Sequence, residues 1–233
     1  MRLEVKEVTL MAVLAAVYAL GNFLPGFPMI GAQGTIPIVR ALEMGYGLIL
    51  GPVLGPLTAF LGAIVGKTLA GGGFGMFFTP LALVSAFVAA ALGRRYVFGV
   101  RGWMLAAAVL AVLIAGWYWM RMDRDPAYYP VLHLLGLAIV LLLRGRIADY
   151  IQNGNKGRLS LGVALCSFPA TMAGHMLGNL IFIFLVNPPP LFFIGILPVS
   201  AVERTLLTIL STVIATPLIL VVRILFPDLM EES

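Results

Sequence analysis

The sequence predicts an all-α, polytopic membrane helix bundle of about eight transmembrane spans. Three observations carry that expectation. Of 233 residues, 61% are hydrophobic and only 11% charged, against roughly 25% charged in a soluble domain. Mean hydropathy is +1.04. Most of the charges cluster between long apolar runs rather than within them. The chain is therefore expected to form a single transmembrane domain over 1–233, embedded in the cell membrane as a multi-pass protein. The net charge of +5 then reflects topology rather than nucleic-acid affinity, and the lone Cys166 excludes an internal disulfide or a cysteine metal cluster.

Residues 1–7 form a mixed-charge leader with Arg2, Glu4, Lys6 and Glu7. The first span is expected at 8–24. A cleaved signal peptide is the rival reading, with Ile30 and Ala32 as a weak cleavage pattern, but the span exceeds the usual apolar stretch of about 7–15 residues. An uncharged loop follows at 25–35 (PGFPMIGAQGT). The second span, 36–50, is broken by Gly51-Pro52, and the third covers 52–70. Gly71 to Gly75 (GGGFG) makes a turn. The fourth span, 75–93, ends before Arg94, Arg95 and Arg101. The fifth covers 102–120, a polar loop 121–129, and the sixth 130–143, before Arg144, Arg146, Lys156 and Arg158. The seventh covers 160–186, with a stiff Asn187-Pro-Pro-Pro190 connection. The eighth covers 198–222, ahead of an acidic tail with Asp228, Glu231 and Glu232.

Lysine and arginine set the orientation. With both termini cytoplasmic, ten of the fifteen basic residues fall inside. Only Arg121 and Arg124 fall in outside loops, and Arg40, Lys67 and Arg204 lie within spans. That asymmetry is the positive-inside bias.

The candidate site follows from charges inside the spans, which cost several kcal/mol unless paired or hydrated and mark function by default. Arg40 and Glu43 are three apart, so a helix aims both at one face. The competing reading is an internal pair that only fixes packing. Lys67, His133, Glu203 and Arg204 all fall towards the outer side of their spans. Random packing pairs have no reason to share a depth, so a pocket opening outward is expected. Span seven carries Ser167, Thr171, His175 and Asn179 at four-residue spacing, and span eight carries Ser200, Arg204, Thr208 and Thr212. Ser167 and Thr212 are expected to bond helix backbone or bridge helices, while His175 and Asn179 are expected to line the pocket. The predicted binding set is Arg40, Glu43, Lys67, His175, Asn179, Glu203 and Arg204.

Other chemistries find no support in the motifs. GAIVGKT, residues 62–68, lacks the spacing of a nucleotide phosphate loop, because Leu61 stands where the first glycine belongs. There is no HExxH, no aspartate pair within spans, and no motif that sets Ser200, His175 and Glu203 up as a triad. No metal or cofactor is expected, and no enzymatic activity. On the first span, Ala12 with Ala16 and Ala15 with Ala19 make two small-xxx-small pairs that let another helix approach closely.

ILGPVLGPLTAFLGAIVGKTL, residues 49–69, together with the alanine-rich first helix, the proline-glycine loop and PVSAVERTLLTILSTVIATPLI at 198–219, resembles the substrate-binding S component of energy-coupling factor (ECF) transporters. The resemblance covers about 8–95 and 160–222. It implies a six-helix core that captures a vitamin or related micronutrient near the outer face. It also implies partners, a transmembrane T component and cytosolic ATPases, with Ala12 and Ala16, or Ala15 and Ala19, contacting the T component and the 25–35 loop as a lid. The departure is an inserted helix pair at 102–143. An ion-coupled secondary transporter of a small polar solute is the alternative, although such folds usually carry an internal repeat that is not visible here.

Overall fold

The computed structural model describes residues 4–31, 35–153 and 155–226. Arg2, Ala32, Gln33 and the tail residues Asp228, Glu231 and Glu232 lie outside them. The chain is all-α apart from two short hairpins, and α7 sits at its centre. The order is α1 (Val5–Gly21), β1 (Gly26–Pro28), β2 (Thr35–Pro37), α2 (Leu42–Leu69), α3 (Pro80–Leu92), β3 (Tyr96–Val97), β4 (Val100–Arg101), α4 (Gly102–Arg121), α5 (Val131–Leu143), α6 (Arg146–Asn153), α7 (Lys156–Val186) and α8 (Phe192–Leu225). Short 3-10 turns at Ile38–Ala41 and Phe74–Phe78 lead into α2 and α3.

Among the described residues, five helical segments are long and apolar enough to cross a membrane: Ile38–Leu69, Phe74–Leu92, Gly102–Arg121, Lys156–Val186 and Phe192–Leu225. The pair Val131–Leu143 and Arg146–Gln152, bent by 77°, makes a sixth if counted as one span. The expected count was eight. The difference lies in α1, only 17 residues long, and in α2, which takes in both the second and the third expected spans.

Gly51 explains α2. Its φ of 84° and ψ of −173° are non-helical, a conformation that glycine tolerates, and Pro52 then starts the next helical run as a favoured first residue. The arms 42–50 and 52–69 fold back on each other. A Cβ built on Gly55 would lie 2.5 Å from the Tyr46 carbonyl oxygen and 2.7 Å from the Gly47 Cα, whereas eight residues of straight helix span about 12 Å. Arg94 closes the tip. Its Nη1 donates to the carbonyls of Gly47 (3.2 Å) and Ala90 (3.4 Å), and burial lowers its guanidinium to about 10, still charged at neutral pH.

The second arm lies along α1. Cβ atoms at Gly62 and Gly66 would strike Ala15, Tyr18, Ala19 and Asn22. Ala19 is buried and Ala15 half-buried against this arm, while Ala12 and Ala16 are exposed. Helices α3, α4, α5, α6 and α8 all touch α7. Helices α4 and α5 therefore pack directly on α7.

Other features differ from expectation. The 25–35 loop contributes to a hairpin, with Phe27 opposite Ile36. A second hairpin pairs Tyr96 with Arg101. Helix α8 begins at Phe192 rather than 198, because six further apolar residues precede Pro198. The 144–158 loop contains α6, whose Ile147, Ala148 and Ile151 are buried.

Candidate functional site

A cavity of about 100 Å³ lies at the end of the bundle where α2 starts and ends. Six of the seven predicted residues line it: Arg40, Lys67, His175, Asn179, Glu203 and Arg204. They come from the 3-10 turn that leads into α2, from the second arm of α2, and from α7 and α8. Apart from Ser200, the remaining side-chain wall is apolar, from Phe78, Leu81, Phe182, Phe192, Phe193, Ile196 and Val199, and the β1–β2 hairpin roofs it through Pro28, Met29, Ile30, Thr35, Ile36 and Pro37. Gly31 seats the roof. Its φ is +82°, and a side chain there would meet Phe192 at 2.7 Å, whose ring stacks on Phe182 at 5.4 Å.

Glu43 is the exception: it stands behind the wall and holds Arg40. Its Oε1 accepts from Arg40 Nε at 3.0 Å and from the Tyr18 hydroxyl at 2.8 Å, and its Oε2 accepts from Arg40 Nη2 at 3.3 Å. Glu43 is 1% exposed. A buried carboxylate with three donors is well compensated. Arg40 Nη1 takes no partner among the described residues. Glycine at 174 makes this arrangement possible, since a Cβ there would lie 2.1 Å from Ser85 Oγ and 3.1 Å from Arg40 Nη2.

The other cations are held more loosely. Lys67 Nζ donates to the Gly75 carbonyl at 2.7 Å, which leaves two ammonium protons for other partners. Arg204 donates to Glu203 Oε2 at 3.1 Å and to Thr171 Oγ1 at 3.4 Å, and its buried Nε has no partner among the described residues. With neutral histidines, the wall carries three cations against one carboxylate, Glu203, with Glu43 one layer behind. The deeper hydroxyls behave as the spacing predicts. Ser167 and Ser211 bridge α7 to α8 at 3.0 Å, and Thr212 bonds the Thr208 carbonyl at 2.7 Å. Among the described residues no group of three or more His, Cys, Asp or Glu is placed to hold a metal.

Helix α5 and the loop before it abut this site through His133, which the sequence placed at the outer side, and through Tyr129, which it did not single out; neither lines the cavity. His133 on α5 meets His175 at 3.1 Å between Nε2 and Nδ1, with the rings stacked. Tyr129, just before α5, accepts from Asn179 Nδ2 at 2.9 Å, and burial holds its phenol above the ordinary value, hence protonated. Tyr129 also packs against Trp117 and Phe193. Beside them, Arg121 is fully buried. It donates to Asp125 Oδ2 at 2.6 Å and to the carbonyls of Pro188 (2.9 Å) and Pro189 (3.1 Å), with its guanidinium 5.4 Å from the Phe193 ring. No periodic signal could have paired residues 121 and 188.

The chain is 26% identical over 190 residues to an uncharacterized protein of Methanocaldococcus jannaschii, an alignment that covers 79% of this chain and 61% of that protein. The chain thus spans about three fifths of that relative's length. No protein-family model matches the sequence. No solved structure matches it either.

Proposed function

We propose that the chain is a membrane-embedded substrate-binding subunit of the ECF type. It would capture a small micronutrient in the roofed cavity and rely on a T component and cytosolic ATPases for energy. One observation carries this reading: six ionisable or amide side chains, scattered between residues 40 and 204, line a single cavity under a hairpin roof. Structural ion pairs alone would not gather in that way.

In this reading the arms of α2 are separate passes, α1 crosses as well, and the helical legs number eight. The basic residues 94–101 and 144–158 then mark the cytoplasmic end, opposite the cavity, so the cavity opens outward. The unused donors of Arg40 and Lys67 suit a carboxylate or another mild anionic group. A volume of about 100 Å³ is below the roughly 300–1,000 Å³ of sites that enclose a drug-sized ligand. The roof must therefore lift to admit a larger molecule, and Gly31 is where it would part from Phe192.

Small molecules released from the purified, denatured protein and identified by mass spectrometry test the reading. A stoichiometric, anionic or zwitterionic micronutrient is expected, bound without ATP. Uptake in reconstituted vesicles should require partner proteins and fall when Ala12 and Ala16 become Leu, while ligand binding survives. Accumulation by the chain alone, driven by an ion gradient, would instead establish the secondary-transporter alternative.

A further inference from the structure

A second cavity, of about 260 Å³, lies at the opposite end of the bundle, between the β3–β4 hairpin, the start of α4 and the α5–α6 bend. Its walls include Arg95, Arg101, Arg144, Trp103, Tyr96 and Asp149. Arg95 is neutralised, with its Nε and Nη2 both 2.8 Å from Asp149 Oδ1. Arg101 and Arg144 have no carboxylate partner among the described residues. The cavity thus keeps two uncompensated guanidinium groups. One of them lies 5.5 Å from the Trp103 ring centroid, which fixes its plane.

The backbone supports a purpose for that geometry. Arg144 has φ +48° and ψ −124°, a conformation disfavoured for any residue with a side chain, although Gly145 stands next to it. Strain of this kind persists where the surroundings enforce it and collects at binding sites. The turn bends α5 from α6 by 77°, which lays α6 across the end of the bundle. It also brings Arg144 over Trp103.

The rim is apolar. Tyr96 is 60% exposed and Phe98, at the hairpin tip, 70%. Met104, next to Trp103, and Leu142, two residues before Arg144, are also exposed and continue the surface along α4 and α5. A soluble anion would have no use for such a rim.

From this juxtaposition we propose that the cavity binds the phosphate of an anionic phospholipid, with its acyl chains along Met104 and Leu142. Paired guanidinium groups match phosphate oxygens in a way that a single ammonium does not, and basic pockets between helices on the cytoplasmic side suit anionic head groups. The site rests on the membrane orientation, not on substrate capture by the outer cavity.

The test is native mass spectrometry of the full chain in a nonionic detergent, offered phosphatidylglycerol, phosphatidylcholine or inorganic phosphate. Phosphatidylglycerol should be retained in preference to phosphatidylcholine. Arg101→Gln and Arg144→Gln should each reduce that adduct about fivefold, the effect of one basic group near an anionic surface. Arg101→Lys should keep part of it. Both arginines are exposed, and an unshifted thermal melt would confirm that the variants fold. Equal retention of the two lipids, or an unchanged adduct in the double variant, overturns the site. Inorganic phosphate that binds alone and displaces the lipid overturns the lipid and assigns the arginines to a free anion. An unchanged adduct with impaired uptake overturns it in favour of an acidic protein partner.

Discussion

Two arginine–carboxylate pairs share chemistry and differ in finish. Arg121 and Asp125 are both 0% exposed at the side chain, and Arg121 spends Nε, Nη1 and Nη2 on Asp125 and two proline carbonyls. Arg40 and Glu43 are nearly as buried, yet Arg40 leaves Nη1 unused at a cavity wall. The carboxylates differ in the opposite sense. Glu43 has Tyr18 as a second donor, while Asp125 Oδ1 has no partner among the described residues. A saturated arginine is a clamp. An arginine held from behind with a free edge is poised to bind.

Arg121→Ala should give the largest effect. It strands the Asp125 carboxylate in a dry interior and frees the Pro188–Pro189 connection at once. Removing one partner of a buried pair costs about 3–5 kcal/mol, read as a lowered midpoint in a chemical or thermal melt in detergent. Ligand affinity of the fraction that remains folded should change little. A variant as stable as the parent would show that the pair is not a clamp.

Arg40→Gln should act the other way round. A charge-assisted hydrogen bond is worth about 1.5–3 kcal/mol, which is roughly 10- to 150-fold in dissociation constant. The stability loss should be smaller than at Arg121, because Tyr18 still donates to Glu43. Isothermal titration with the identified ligand and a melt of the same sample separate the two effects. Full affinity with a large stability loss would make both pairs clamps and remove the support for a binding cavity.

The contrast was only half legible in the sequence. Arg40, Glu43, Lys67 and Arg204 stand out because charge within an apolar run is expensive, and that cost depends on local sequence alone. Arg121 borders a polar loop, where it reads as an ordinary topology marker, and its carbonyl partners lie 67 and 68 residues away. The Gly51 reversal was legible as a break because glycine before proline is a strong local signal. That the arms pack against each other depends on Gly47 and Gly55 meeting, which no propensity records. The α6 helix was lost among basic residues, although Ile147, Ala148 and Ile151 carry a short helical spacing. Glu43 was legible as a site residue, but not that it would stand behind Arg40 rather than beside it.

Tyr129 joins the two regions, and Tyr129→Phe should give the smallest effect. The ring stays, so its contacts with Trp117 and Phe193 persist and stability should fall little. The lost hydroxyl no longer holds Asn179 Nδ2, whose amide is then free to turn and to hydrate from the cavity. A neutral hydrogen bond contributes about 0.5–1.5 kcal/mol, so ligand affinity should drop by roughly two- to tenfold. The size of the drop separates two roles for α4 and α5. If α4 and α5 only brace the core, the hydroxyl is irrelevant to binding and affinity stays at the parent value. If they finish the cavity by fixing Asn179, the loss appears in the dissociation constant at nearly constant melting temperature. Asn179→Ala in the same background gives the check. Its effect should be smaller in Tyr129→Phe than in the parent, since the two residues act through one bond.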